Sequence, residues 1–306
     1  MSESVILGRS FPKKALWYTM MSNLKIPPIF RFLYVYFFIS ASFLPAEESA
    51  VNIQLPGEPF IHTINPSDFG VEPNCYNLVQ DKNGYLYVGN LAGVLEFDGV
   101  SWKPLARGYS GRSIAIDSTN QLFIGGIGTI GYLKRASNGE VAYYSLNEEI
   151  PDEMRFFAAV KGTHATKDAV FFQTTRYLFR WQNQKMSAWK TPESYIYSTV
   201  LNNSLYIYES QKGLSILKGD SLHVLKDSRG GAQPFSTCVE LLPDNKLLLG
   251  TIEQGLFVYD GKTYSPFQTD IDALLKKLYI RSIDILSDGT LAIGSLKNGM
   301  FYLDTA

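Results

Sequence analysis

Asp81-Lys-Asn-Gly-Tyr-Leu-Tyr-Val-Gly89, followed by Gly93-Val-Leu-Glu-Phe-Asp-Gly99, is the stretch that decides the fold. Two short runs rich in aromatic and β-branched residues are each bounded by turn residues, Asn83-Gly84 before the first and Asp98-Gly99 after the second. Such runs read as neighbouring β-strands. The same arrangement returns at Leu242-Pro-Asp-Asn-Lys-Leu-Leu-Leu-Gly250 with Gly255-Leu-Phe-Val-Tyr-Asp-Gly261. It returns again at Leu286-Ser-Asp-Gly-Thr-Leu-Ala-Ile-Gly294 with Gly299-Met-Phe-Tyr-Leu-Asp304. Weaker copies end their first run at Gly125, Gln173 and Tyr208. Successive anchors, from position 89 to position 294, lie 35 to 48 residues apart. A period of about 40 is that of a four-stranded propeller blade.

The turn chemistry tests this register. Six and five residues before each anchor stand Asn83-Gly84, Thr119-Asn120, Lys167-Asp168, Asn202-Asn203, Asp244-Asn245 and Asp288-Gly289. Gly, Asn and Asp tolerate positive φ, so these pairs predict two-residue type I′ hairpins. Each unit then reads as strands a to d. Strand a precedes the turn, and strand b ends at the anchor, where a side chain would crowd the next blade. Strand c is the Gly-Leu-Phe-Val-Tyr type of run. Asp98-Gly99 or Asp260-Gly261 then turns the chain into strand d, such as Ser101-Trp-Lys-Pro-Leu105; Val141-Ala-Tyr-Tyr-Ser145 is another strand d.

The predicted fold class is therefore all-β, a propeller of four-stranded antiparallel blades with six units visible. A seven-bladed ring is compatible with the count if further blades lie beyond the sequence. The sixth unit stops at Asp304-Thr-Ala306, before any strand d. Either Gly57-Glu-Pro-Phe-Ile-His-Thr63 closes the ring as the missing strand, or the chain is the first part of a longer one. Ring closure removes free strand edges, which is why a closing strand is expected at all.

The first 46 residues differ in kind. Arg9, Lys13, Lys14, Lys25 and Arg31 precede an apolar run from Phe32, and small residues follow at Ser40–Ser42 and Pro45-Ala46. The run from Phe32 to Leu44 is 13 residues long, shorter than the roughly 20 a membrane helix needs. Residues 1–46 therefore read as a signal peptide, 47–56 as a short linker and 57–306 as the propeller. An uncleaved anchor is the alternative. Both readings place residue 50 onward outside the cytoplasm, periplasmic or extracellular.

The charge balance, 28 Lys and Arg against 29 Asp and Glu, lacks the basic footprint of a nucleic-acid binder. His62, His164 and His223 share no spacing, so no metal or acid–base site is expected of them. Cys75 and Cys238 fall on strand a of non-adjacent units, too far apart to bridge, and read as two buried free thiols. The acidic run Glu148-Glu-Ile-Pro-Asp-Glu153 lacks the alternating spacing of a calcium loop. Gly125-Gly-Ile-Gly-Thr-Ile-Gly131 follows a strand but opens no helix, so it reads as a b–c loop rather than a phosphate loop. No cofactor and no metal are expected.

Units of this form resemble the two-component regulator propeller repeat. The likeness runs over residues 57–306 and is strongest in Leu78–Trp102 and in units five and six. It implies the extracytoplasmic sensor part of hybrid two-component signalling proteins, in which the propeller precedes an immunoglobulin-like domain, a membrane helix and a cytoplasmic output. The expected function is that of a non-catalytic ligand-sensing module, its partners a small ligand such as a glycan fragment and the downstream signalling domains. An exported propeller-scaffold enzyme of the lyase type is one alternative, although no His/Glu or metal constellation supports it. A secreted protein-binding scaffold is the other. In a propeller the d–a and b–c connections share one face, and variable loops on a rigid scaffold are where binding is found. Arg107, Arg112, Arg155, Arg229 and Arg281 stand at or beside those loops and are the candidate ligand-binding residues, suited to a carboxylate or sulfate.

Overall fold

A computed structural model describes residues 74–230 and 233–304. The predicted signal peptide, the linker and the closing strand at 57–63 with His62 lie outside the described residues. Within them the chain forms 23 β-strands in six antiparallel sheets. Blade 1 is β1 (Cys75–Gln80), β2 (Leu86–Asn90), β3 (Gly93–Phe97) and β4 (Trp102–Leu105). Blade 2 is β5 (Ser113–Ile116), β6 (Leu122–Gly125), β7 (Ile130–Arg135) and β8 (Val141–Ser145). Blade 3 is β9 (Gly162–Ala165), β10 (Val170–Gln173), β11 (Tyr177–Gln182) and β12 (Lys185–Lys190). Blade 4 is β13 (Tyr195–Leu201), β14 (Ser204–Glu209), β15 (Gly213–Lys218) and β16 (Ser221–Val224). Blade 5 is β17 (Ser236–Leu241), β18 (Leu247–Thr251), β19 (Leu256–Tyr259) and β20 (Tyr264–Pro266). Blade 6 has three strands among the described residues, β21 (Ile280–Ile285), β22 (Leu291–Ser295) and β23 (Met300–Leu303). Every strand pairs with its sequence neighbour, so each blade is a meander. The fold is a six-bladed β-propeller.

The hairpins follow the predicted register but not the predicted turn type. Only Asn202-Asn203 has both residues at positive φ, 45° and 61°, as a type I′ turn requires. In blades 1, 2, 5 and 6 only the second residue is left-handed: Gly84, Asn120, Asn245 and Gly289. Their amides donate to the carbonyls of Asp81, Asp117, Leu242 and Leu286, three residues back. That is a type I turn closed by a left-handed bulge residue, a three-residue loop rather than a two-residue one. Lys167-Asp168 makes a two-residue loop without positive φ, closed by Thr166 and Ala169. The a–b loop is thus one residue shorter in blades 3 and 4 than in the other four.

The turn residues also lace blades together. Asn120 Oδ1 accepts from the Lys82 amide at 3.1 Å, and its Nδ2 donates to Asp81 at 3.1 Å. Asn203 Oδ1 accepts from the Lys167 amide at 2.6 Å. An Asn203→Ala variant loses this bond and forces alanine into the left-handed region. It is expected to cost about 1–2 kcal/mol, read as a lower denaturant midpoint. Asn203→Gly keeps the backbone geometry and should lose only the hydrogen-bond part. Equal losses in the two would show that the backbone conformation contributes nothing.

The core lies between blades rather than within them. Each interface between consecutive blades holds one buried cluster, such as Phe123, Ile130, Val160, Phe172 and Phe179 between blades 2 and 3. Residues alternate along a strand, so every inner strand sends one set of side chains to each neighbouring blade. The predicted crowding at the anchors holds at Gly89, where a Cβ would stand 2.3 Å from the Gly111 carbonyl oxygen of the approach to blade 2. At the two ends of the series apolar side chains stay exposed: Tyr76 and Leu78 of blade 1, Leu296 and Met300 of blade 6. Both cysteines are free, as expected, but Cys75 is exposed and only Cys238 is partly buried. Cys75 lies on that uncovered flank of blade 1, where no described blade packs against it.

Candidate functional site

The first strands of all six blades surround one cavity of about 1160 Å³, the central channel. The pairing of strands a and b arranges its wall in layers. The six anchors pair with Asn77, Ser113, Gly162, Tyr197, Cys238 and Ser282. One residue earlier stand Tyr76, Arg112, Lys161, Ile196, Thr237 and Arg281, all lining the channel. In blades 1, 4, 5 and 6 that residue is the extra one of a β-bulge, the ladder skipping between its neighbours. A bulge re-aims the side chain it carries.

This layer sits at the end of strand a where the d–a connections enter. The b–c loops share that end. The Val160 amide donates to the Gly126 carbonyl and the Glu253 amide to the Leu278 carbonyl, each joining a b–c loop to the next d–a connection. The expected loop face is therefore present, and its mouth carries Arg112, Lys161 and Arg281 together with Tyr76, Phe235 and Tyr279. Arg112 lies over the Tyr76 ring at 4.8 Å and Arg281 over the Tyr279 ring at 5.9 Å. Burial in the wall and the neighbouring Arg112 charge hold the Lys161 amine below its ordinary range.

Three residues further along the strands, roughly 10 Å deeper at 3.3 Å per residue, the equivalent positions are Val79, Ala115, His164, Thr199, Glu240 and Asp284. Burial, and then the Asp284 charge, raises the Glu240 carboxyl. The channel wall thus carries cations at its loop-face mouth and, among its described lining residues, the single acid Glu240 deeper toward the turn face.

In the deeper layer, His164 Nε2 stands 2.9 Å from the Oγ of Ser198, one residue before Thr199, and Ser198 Oγ donates to Gln173 Oε1 at 3.4 Å. Burial pushes the His164 imidazole down to about 4, from an ordinary value near 6.5. Between those values the unfolded chain binds the extra proton, so this group's contribution to stability is present above pH 6.5 and is lost as pH falls toward 4. The parent is expected to lose more of its urea midpoint between pH 7 and pH 4 than a His164→Gln variant. Parallel pH profiles for the two proteins would contradict it.

The five arginines expected from sequence separate into two groups. Arg112 and Arg281 line the channel. Arg155 pairs with Glu148 at 3.3 Å and Asp152 at 2.7 Å, so part of the acidic run serves to hold it. Arg229 is bound to Asp227 at 2.9 Å and to the Tyr264 carbonyl. Arg107 is exposed in the connection from blade 1 to blade 2 and is not part of the channel wall. Sequence reasoning missed Lys161. The layer lies 13 residues before the anchor in blades 1, 2, 5 and 6 but 12 before it in blades 3 and 4. The shorter hairpins account for that difference, and counting with the turn length included would have found the lysine.

No protein-family model and no curated protein matches the sequence. Solved structures do. The extracellular domain of a hybrid two-component system from B. thetaiotaomicron is similar over 76% of this chain, at 17% identity and a TM-score of 0.56. A second such domain from the same organism gives 76%, 17% and 0.54. The likeness is one of fold. The chain spans about a third of those domains, 32% and 33% of their lengths. Virginiamycin B lyase from Staphylococcus aureus is also similar, at 14% identity and a TM-score of 0.54, over 74% of this chain and 83% of that one.

Proposed function

We propose that this chain is the exported, non-catalytic ligand-sensing propeller of a bacterial two-component-type signalling protein, forming the N-terminal portion of a longer sensor. The observation that carries the reading is the central channel, walled by the first strands of all six blades and carrying Arg112, Lys161 and Arg281 at a mouth ringed by loops. A rigid ring with its binding groups on inner strands and loops suits recognition, and its fold alone prescribes no chemistry. The similarity in fold to extracellular domains of two-component systems supports the signalling role and the extracytoplasmic location. The ligand is a small molecule of the glycan-fragment class, taken at the loop face, and the downstream partners are output domains of the parent chain.

Thermal denaturation of the purified chain against a panel of oligosaccharides tests this. A true ligand at 100 times its Kd adds about 2.7 kcal/mol of stability and raises the melting temperature accordingly. A flat response across the panel, with stable capture of a protein partner, would favour the scaffold reading. Turnover of a bound compound would favour an enzyme.

A further inference from the structure

Three cations of one channel layer, Arg112, Lys161 and Arg281, have neither a carboxylate nor any hydrogen-bond acceptor as a side-chain partner among the described residues. Four other arginines differ in this respect. Arg135, Arg155, Arg180 and Arg229 each hold a carboxylate. At Lys161 partial desolvation and the neighbouring Arg112 charge both disfavour the ammonium, and a bound anion relieves both. The aromatic rings beneath the two arginines hold the flat guanidinium faces by cation–π contact and leave the N–H edges free for bidentate bonding. Glu240, the acid of the channel wall among the described residues, and the neighbouring Asp284 both stand three residues deeper, so they do not neutralise this layer.

We propose that the loop-face mouth of the channel is a binding site for a compact ligand bearing two or more oxyanion groups, held by Arg112, Lys161 and Arg281 with Tyr76 and Tyr279 as flanking rings. This deepens the sensor reading and rests on it. One anionic group bonds Arg112 and Lys161, which come from adjacent blades, and a second bonds Arg281 of blade 6. Carboxylates, sulfates and phosphates share this chemistry. The aromatic rims suit a ligand whose anionic groups hang from a ring.

Isothermal titration calorimetry of the whole chain against inorganic pyrophosphate, a trigalacturonate and a disulfated disaccharide, beside uncharged trisaccharides, tests the site and separates the three sources. The expected result is 1:1 binding of at least one anion and none of the neutral sugars. Arg112→Gln, Lys161→Gln and Arg281→Gln should each weaken it about tenfold, the loss of one charge-assisted hydrogen bond. Lys161→Arg should retain binding, and Lys185→Gln, on the outer strand β12, should leave it unchanged. All of these positions are exposed or partly so, and far-UV circular dichroism checks that the variants fold. Undiminished binding by the triple Gln variant overturns the site and leaves the sensor reading intact. Neutral sugars bound in preference to anions do the same. Failure of every ligand, charged or neutral, overturns both.

Discussion

Arg135→Met is expected to destabilise the propeller by about 3 kcal/mol, the low end of the range for orphaning a buried charge. The charge left behind is Glu96, whose residue is only 2% exposed on β3 of blade 1. Its carboxylate bonds the Arg135 guanidinium, which reaches across from β7 of blade 2. The Tyr87 hydroxyl completes the group, and burial, followed by the Glu96 charge, raises that phenol well above its usual range. Arg135 itself is about half exposed, so water reaches one side of the pair and moderates the loss. The methionine keeps the length of the side chain but offers no donor. Guanidinium chloride unfolding should show a lower midpoint with an unchanged slope. Adding Glu96→Gln to the variant removes the orphaned charge and should restore most of the loss. A double variant as unstable as Arg135→Met would mean that packing, not the charge, was responsible.

Gly89→Val is expected to cost about 3 kcal/mol as well, at the upper end of ordinary overpacking. The obstacle is a backbone oxygen: a Cβ at position 89 would meet the Gly111 carbonyl at 2.3 Å, and a main-chain atom cannot rotate away. Gly111 in turn is tied to blade 1 through its amide, which donates to the Asn90 carbonyl at 2.7 Å. The approach to blade 2 must therefore move as a unit, and Arg112 is its next residue. Gly89→Ala should produce the same effect at smaller size, since the added Cβ already collides. Both variants should also weaken binding of a channel anion while leaving all three cations in place. A denaturant midpoint within error of the parent would show that the approach relaxes freely.

The repeat was legible because its signals are local. A run that alternates around Leu86–Asn90 and an αL residue at Gly84 or Asn245 obey period-2 geometry and steric rules that neighbouring residues settle among themselves. The turn type was less legible. Asn83-Gly84 satisfies both a two-residue loop and a three-residue loop with a bulge, and pairing of the flanking strands chooses between them. Cys75 shows the same limit: its strand was clear from sequence, but its exposure depends on whether a blade packs against that flank.

By itself, then, the sequence determined the fold class, the number of visible blades and the residue at which each hairpin reverses. Only the tertiary structure decided which cations share the channel wall. Arg112, Lys161 and Arg281 come from blades 2, 3 and 6, and nothing in their separate segments sets them apart from Arg155 or Arg229, which found carboxylates nearby. The physical reason is that the channel layer is fixed by strand register counted from the turn, one residue shorter in blades 3 and 4, and by the closing of separate sheets around a common axis. Charges far apart in the chain share a field only once that packing has brought them to the same depth.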